Sequence, residues 1–236
     1  RGARLVGSEM CILDRVKDPQ AHECSHLRPG QILFTSLHLA ADPEQASLLL
    51  ASGATCIAYE TITSPHGGLP LLAPMSLIAG RLSVQAGAHH LEIHQGGNGT
   101  LLSGVPGVQP GKVLVLGGGV VGSSAIRVAL GMGAEVTVLD RSIARLGQLD
   151  EQYAGRLRTI YSTAAAIDEC AQESDLIIGA VLIPGASAPK LISRSQPTRF
   201  TPGTVLGAVA LDQRGCFETA NPTPHTQPTD QRANAV

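Results

Sequence analysis

Three glycines at fixed spacing are the first residues in this sequence with an evident chemical use. Gly117, Gly119 and Gly122 form a GxGxxG pattern within "VLVLGGGVVGSSAIRVALGMGAEVTVLD", residues 113–140. They follow an apolar strand and open a helix. The first allows a tight turn, the second lets the backbone approach a pyrophosphate, and the third lets the helix pack on the strand. The helix N-terminus then offers free N–H groups to the anion. Asp140 ends the next apolar run, 18 residues beyond Gly122. A carboxylate there accepts hydrogen bonds from a ribose 2′-hydroxyl, and its charge favours NAD over NADP. Two alternatives stay open: a Gly-rich turn with an ordinary helix cap has the same spacing, and Arg141 is a cation that could serve a 2′-phosphate instead.

Such a cradle works only at the edge of a parallel sheet. From residue 113 the pattern predicts strands at 113–116, 135–140, 156–161, 175–182 and 204–211, with helices from about 120, within 142–152 and over 163–173. Strands alternating with helices imply a parallel sheet with right-handed crossovers. The expected class is therefore α/β, a Rossmann doubly wound parallel sheet plus an incomplete second α/β domain that would hold substrate. In that second domain "ILFTSL" and "TCIAYETI" read as strands flanking the helix "DPEQASLLLASG", with Asp42 as cap, Pro43 at the first helical position and Gly53 as stop. "MSLIAGRLSVQAGAHHLEIH" has the length of a long helix linking two domains, and the spacing of Met75, Ile78, Leu82 and Ala86 suits one. The predicted boundaries are 1–72 for the partial substrate domain, 73–95 for the linking helix, 96–229 for the NAD-binding domain and 230–236 for a tail. The closing "ANPTPHTQPTDQRANAV" is polar, Pro-rich and aperiodic, so loop or disorder is expected there.

Composition narrows the function. With 236 residues the chain can bury a sizeable core, as one large domain or two modest ones. A net charge of −2 with both signs scattered gives no footprint for nucleic acid or an anionic membrane. No apolar run approaches a membrane span and the opening residues have no signal-peptide pattern. Cys11, Cys24, Cys56, Cys170 and Cys216 are odd in number and contain no CxxC pair, which fits reduced thiols in a cytoplasmic protein. Aromatics are only 3% and Trp is absent, so the core must be small and branched aliphatics, as in helix-covered parallel sheets. His22, Cys24 and His26 in "HECSH" lack a fourth ligand at a usual spacing and read as solvated loop. His89, His90 and His94 read as surface or interface residues of the long helix. No metal site is expected.

Several segments together resemble the alanine dehydrogenase family, which includes the NAD-binding subunit of proton-translocating transhydrogenase. They are "RVKDPQ", "LRPGQILFTSLHLAAD", "GATCIAYETI", "LPLLAPMSLIAGRLSVQAGAHHLE", "GVPGVQPGKVLVLGGGVVG", "ALGMGAEVTVLDR", "DLIIGAVLIPGASAPKLI" and "ALDQRGCFET". "LHLAAD" and "GAVLIPG" favour the alanine branch, and no feature favours the membrane partner of a transhydrogenase. The resemblance implies reversible oxidative deamination of L-alanine to pyruvate and ammonium with NAD. It also implies a two-domain cytoplasmic protomer, a homo-oligomer that is commonly hexameric, and a part in L-alanine catabolism. By motif, Lys17 in "VKDP" matches the lysine that holds the substrate carboxylate, and His38 in "LHLAAD" matches the histidine that contacts the substrate carbonyl. Asp212 in "LDQRG" matches the catalytic aspartate at the nicotinamide end. Ser76, Gly117, Gly119, Val120, Gly122 and Asp140 fall where the family touches NAD, as do Arg145, Ser162, Val181, Leu182 and Val209.

The side-chain chemistry is compatible with those roles. A cation such as Lys17 can fix a carboxylate, an imidazole can take the amine proton, and a carboxylate such as Asp212 can stabilise a cationic iminium. Which of His38 and Asp212 is the base stays open. So do blander uses: a solvated charge for Lys17, a helix cap or core hydrogen bond for His38, a turn former for Asp212. Departures from the family also count. The family begins with a further strand–helix–strand stretch carrying a carboxylate-clamping arginine, and continues past "HTQPT" into a strand, a covering loop and helices. The expectation is a chain truncated at both ends, with a substrate domain of about two strands and one helix. Arg15 does not take the clamping role. Ser36 stands where Tyr is usual, and Gly207 where Asp is usual, which weakens a strand. These losses open an alternative, a catalytically impaired NAD-binding fragment or assembly module.

Overall fold

The computed structural model describes residues 12–14, 18–39, 42–182, 188–209, 215–220, 229 and 235. They fall into two compact units that meet in sequence between Pro74 and Met75.

The first unit holds three parallel strands in spatial order β1-β2-β3: β1 (Ile12–Asp14), β2 (Ile32–Thr35) and β3 (Thr55–Ala58). Helices α1 (Ala21–Cys24) and α2 (Pro43–Ser52) accompany them. α2 is delimited by chemistry at both ends. The Asp42 carboxylate accepts the Gln45 N–H at 2.9 Å, Pro43 opens the helix, and Gly53 closes it in the left-handed conformation at φ 66°. Leu13, Leu27, Leu33, Leu37 and Leu49 form the core together with Cys24.

Three expectations are corrected here. "HECSH" is not a solvated loop: residues 21–24 are helical and Cys24 is 2% exposed, a small apolar side chain used as core. The described residues of the unit hold three strands and two helices rather than two and one; β1 is three residues long, too short to show a period-2 signal. "TCIAYETI" is strand only through Ala58, after which Tyr59–Thr61 tightens into a 3-10 turn.

The second unit is a five-stranded parallel sheet in order β6-β5-β4-β7-β8. Its strands are β4 (Lys112–Leu116), β5 (Glu135–Asp140), β6 (Leu157–Tyr161), β7 (Leu176–Gly179) and β8 (Val205–Ala208). Alternate residues feed two cores. Val113, Val115 and Ile178 pack with Ala125, Ile126 and Ala129 of α4 (Val120–Gly131) on one face. Leu114, Leu116 and Ile177 pack with Ile167 and Cys170 of α6 (Ala164–Gln172) on the other. A sheet covered on both faces explains why β4 and β7 are continuously apolar. Between them in sequence, α5 (Ile143–Tyr153) links β5 to β6. β7 and β8 end at Gly179 and Ala208, short of the predicted 182 and 211. The apolar run outlasts β7 because Ala180 stays buried in the loop that leaves the sheet.

α3 (Ala73–His90) is shorter than predicted, and His94 lies in a separate 3-10 turn, Ile93–Gln95. Its buried face is Ser76, Gly80, Val84 and Gly87. Met75, Ile78 and Leu82 are 39%, 66% and 56% exposed. A Cβ at Gly80 would overlap the Val121 carbonyl oxygen, so α3 can lie close on α4 only where its residues are small. Of the closing tail beyond Ala220, only Thr229 and Ala235 are described, and Ala235 is buried and bridged to Thr204, not loop. Among the described residues no helix is long and apolar enough to cross a membrane, and no group of His, Cys, Asp or Glu could hold a metal ion.

Candidate functional site

The order β5-β4-β7 reverses the winding direction at β4, so a crevice opens beyond the carboxyl ends of β4 and β7. The three glycines sit there and answer to three constraints. Gly117 leaves β4 at φ 99°, with its N–H on Leu139 O at 2.8 Å; a Cβ would press Val181 Cγ2 at 3.0 Å. Gly122 lies in the first turn of α4, where a Cβ would overlap the Gly117 carbonyl oxygen. Gly119 caps α4 with ordinary extended backbone and no side-chain hydrogen bond, and a Cβ there would meet nothing within 4 Å. Open space in front of an uncapped helix N-terminus fits a pyrophosphate. On this test the residues fit a dinucleotide.

Asp140 and Arg145 clamp one residue of that turn, Gly118, through its N–H and its carbonyl. Asp140 Oδ2 accepts the Gly118 N–H at 2.7 Å and Oδ1 accepts the Ser142 N–H at 2.8 Å. Arg145 Nε donates to Gly118 O at 2.7 Å, Nη2 to Ser123 Oγ at 2.6 Å and Nη1 to Gln148 Oε1 at 2.8 Å. A carboxylate has roughly four acceptor sites, so Asp140 retains capacity for a ribose hydroxyl. Arg141 is exposed beside it. Ser162 follows β6 and donates its N–H to Asp140 O at 2.9 Å. Val181 and Leu182 follow β7, and Val209 follows β8 with its N–H 3.4 Å from Gly179 O. Ten predicted contacts thus share the carboxyl edge: Gly117, Gly119, Val120 and Gly122 at the turn, then Asp140, Arg145, Ser162, Val181, Leu182 and Val209. Ser76 is buried on α3, one turn before the Gly80 contact with α4. Sequence reasoning missed Ser123, which also bonds Gly118 O at 3.0 Å and Gly119 O at 2.8 Å, because a Ser in a helix's first turn carries no distinguishing signal.

His38, in the first unit, is described, whereas Arg15, Lys17 and Asp212 lie outside the described residues. His38 does not cap α2, since Asp42 does. It stands three residues past β2 in the left-handed conformation, φ 49°, with its N–H 2.7 Å from Glu60 Oε1. Ser36, where the resemblance leads one to expect Tyr, is 3% exposed, and among the described residues its hydroxyl has no hydrogen-bond partner. The Tyr59 hydroxyl donates to the Asp14 carboxylate, joining β1 to the end of β3. That hydrogen bond, then burial, then the Asp14 charge raise the Tyr59 pKa. His94 Nε2 is 3.2 Å from a Glu92 carboxylate oxygen, while burial and then the neighbouring His89 lower the His90 pKa.

Comparison with known proteins agrees with this architecture. The family model of the alanine dehydrogenase/PNT N-terminal domain matches residues 2–79, and that of the C-terminal domain residues 83–236. The curated alanine dehydrogenases of Halomonas elongata and Mycobacterium tuberculosis are 64% and 53% identical to this chain over 97% of it. The chain spans 63% of the length of each. A solved L-alanine dehydrogenase superposes with a TM-score of 0.85 at 48% identity, covering 96% of this chain and 63% of that one. A transhydrogenase from Sinorhizobium meliloti superposes with a TM-score of 0.69 at 27% identity, covering 89% of this chain and 62% of that one. With both domain models matched and the doubly wound sheet in place, the chain belongs to the alanine dehydrogenase/PNT family.

Proposed function

We propose that this chain serves NAD-dependent oxidative deamination of L-alanine to pyruvate and ammonium, and its reverse. The observation that carries the reading is the open approach at Gly119, before the uncapped N-terminus of α4 and beside Asp140, in a chain 64% identical to an alanine dehydrogenase. Bound NAD supplies the hydride acceptor. The chain's own residues do the rest. Gly117, Gly119 and Gly122 admit the pyrophosphate to the α4 N–H groups, and Asp140 accepts from the ribose. Lys17 holds the substrate carboxylate. As the α-carbon gives up its hydride, the substrate ammonium group gives up a proton either to Asp212 or to His38, and in the latter case the Asp212 carboxylate stabilises the cationic iminium. Water adds to that carbon and gives its proton to whichever of the two groups still lacks one. That proton returns to the nitrogen, and the hydroxyl proton follows as the C–N bond breaks. Pyruvate and ammonium leave, the first proton going to solvent.

In this reading residues 1–72 form the substrate domain, 73–95 the link, 96–229 the NAD domain and 230–236 the tail. The protein is a cytoplasmic homo-oligomer, a hexamer as the resemblance implies, engaged in L-alanine catabolism. The test is NADH formation from NAD and L-alanine, with pyruvate plus ammonium as the reverse assay. A folded protein that binds NADH but turns over neither pair refutes the reading. That result would support the second one, an NAD-binding or assembly module without chemistry, for which Ser36 is the supporting observation: a buried hydroxyl two residues from His38, unpartnered among the described residues.

A further inference from the structure

Glu60 is a buried acid that the proposed chemistry leaves unused. It lies in the 3-10 turn after β3 and is 7% exposed. β2 and β3 run parallel with Thr35 opposite Ala58, so the turn leaving β3 stands beside residues 36–38 leaving β2. The carboxylate faces two consecutive main-chain donors there. Oε1 accepts the His38 N–H at 2.7 Å and the Leu37 N–H at 3.1 Å, and Oε2 lies 3.3 Å from the same Leu37 N.

His38 is left-handed, φ 49°, and the two amides that meet the carboxylate belong to the peptide leading into it and the one before. His is among the few non-glycine types enriched in this region, yet its Cβ still crowds the following carbonyl there. A buried carboxylate, for its part, is costly unless hydrogen-bonded. Each feature compensates the other: the anion finds donors, and the strained turn finds short charge-assisted bonds. Strain of this kind, held by its surroundings, is characteristic of residues whose side chain must leave the main chain in one direction.

We propose that Glu60 is the positioning residue for His38: its carboxylate fixes the peptide that leads into His38 and so sets where the imidazole stands. The proposal rests on the assignment of His38 to proton transfer. Without the carboxylate that peptide is free to turn and carries the imidazole away from its working position.

The experiment compares Glu60→Ala, Glu60→Gln, His38→Ala and the double variant in the full chain. It reads kcat and KM for alanine oxidation, NADH affinity, and hydrogen exchange at the Leu37 and His38 amides. Glu60→Ala is expected to lower kcat by about 100-fold, since misplacing a reacting group by about 1 Å has that effect. NADH affinity should hold, and exchange at both amides should quicken. Glu60→Gln keeps an oxygen for the His38 N–H and should lose only about tenfold. In the His38→Ala background, Glu60→Ala should remove nothing further, because it acts through the imidazole. Full kcat in Glu60→Ala, or an equal loss with and without His38, overturns the proposal. If the alanine variant does not fold, unaltered kcat in Glu60→Gln overturns it instead. If the unsubstituted chain has no turnover, the proposed function fails and exchange alone decides: amides that stay protected in Glu60→Ala overturn the positioning role.

Discussion

Alanine at Gly122 and alanine at Gly119 should fail in different ways, because one glycine is needed for packing and the other for a ligand. At Gly122 the added methyl would overlap the Gly117 carbonyl oxygen and lie 2.9 Å from its carbon and 3.3 Å from Val115 Cγ1. The obstacle is backbone, so α4 itself must recede, by more than about 1 Å before ordinary contact is restored. It would move against a core in which Val115, Ala125 and Ile126 are fully buried. Alanine brings back about 1 kcal/mol of helix propensity, whereas overpacking of this sort costs about 1–3 kcal/mol or more. The second effect wins, for a net loss of about 1–2 kcal/mol. Retreat of α4 also withdraws its N–H groups from the phosphate. At Gly119 the methyl meets no atom within 4 Å, on backbone any residue adopts, so stability should change by less than about 1 kcal/mol. The methyl would stand where the pyrophosphate must pass, and NADH affinity should fall by at least about tenfold. Thermal melts beside fluorescence titration with NADH separate the two outcomes. Undiminished NADH affinity in a folded Gly119→Ala protein refutes the cradle, and an unshifted melting midpoint in Gly122→Ala refutes the packing assignment.

Gly147 is exposed in the middle of α5 with nothing near its would-be Cβ, so Gly147→Ala should stabilise the second unit by about 0.5–1 kcal/mol; a lowered melting midpoint would contradict it. Gly207 lies in the edge strand β8, where a Cβ would make only ordinary contacts at 3.7–3.9 Å. Gly207→Ala should therefore raise stability by about 0.5 kcal/mol, read from the denaturation midpoint, and a loss would mean that the strand needs its glycine. Burial pushes the Cys216 thiol above its ordinary value of 9.0. The neutral thiol is what the fold holds, so this contribution to stability is complete below the ordinary value and is lost as pH rises through the raised one. Cys216 should resist iodoacetamide at pH 8 until denaturant is added, and labelling of the native protein would disprove its burial.

The parts of the fold that were legible are those in which a residue type has one backbone use. Gly117, Gly119 and Gly122 announced the turn after β4, and Asp42, Pro43 and Gly53 announced both ends of α2. α3 was legible as a helix but not as to its buried face. Periodicity weights Met75, Ile78 and Leu82 as core, whereas close helix packing selected Ser76, Gly80 and Gly87 for being small. α1 was missed because four residues carry too little pattern. Glu60 was invisible for a different reason. Its partners are main-chain amides of Leu37 and His38, which every residue but proline supplies, so no residue identity at 37 or 38 records the contact.

The same point bears on how cofactor preference is built into this edge of the sheet. Asp140 is usually read as a selector, an anion that accepts a ribose hydroxyl and repels a 2′-phosphate. Here it is also a strut: its Oδ2 holds the Gly118 N–H while Arg145 Nε holds the Gly118 carbonyl, so the peptides on both sides of Gly118 are fixed. A cation for a 2′-phosphate is already present in Arg141, exposed beside Asp140. The barrier to changing preference is then not the lack of a positive group. Removing Asp140 removes the repulsion and the strut together, leaving the Gly118 N–H without its acceptor and Arg145 without a fixed carbonyl to hold. In the proposed reading, preference for the cofactor and rigidity of the turn rest on one carboxylate, and a replacement that keeps the turn must keep an acceptor at 140 while giving up its charge.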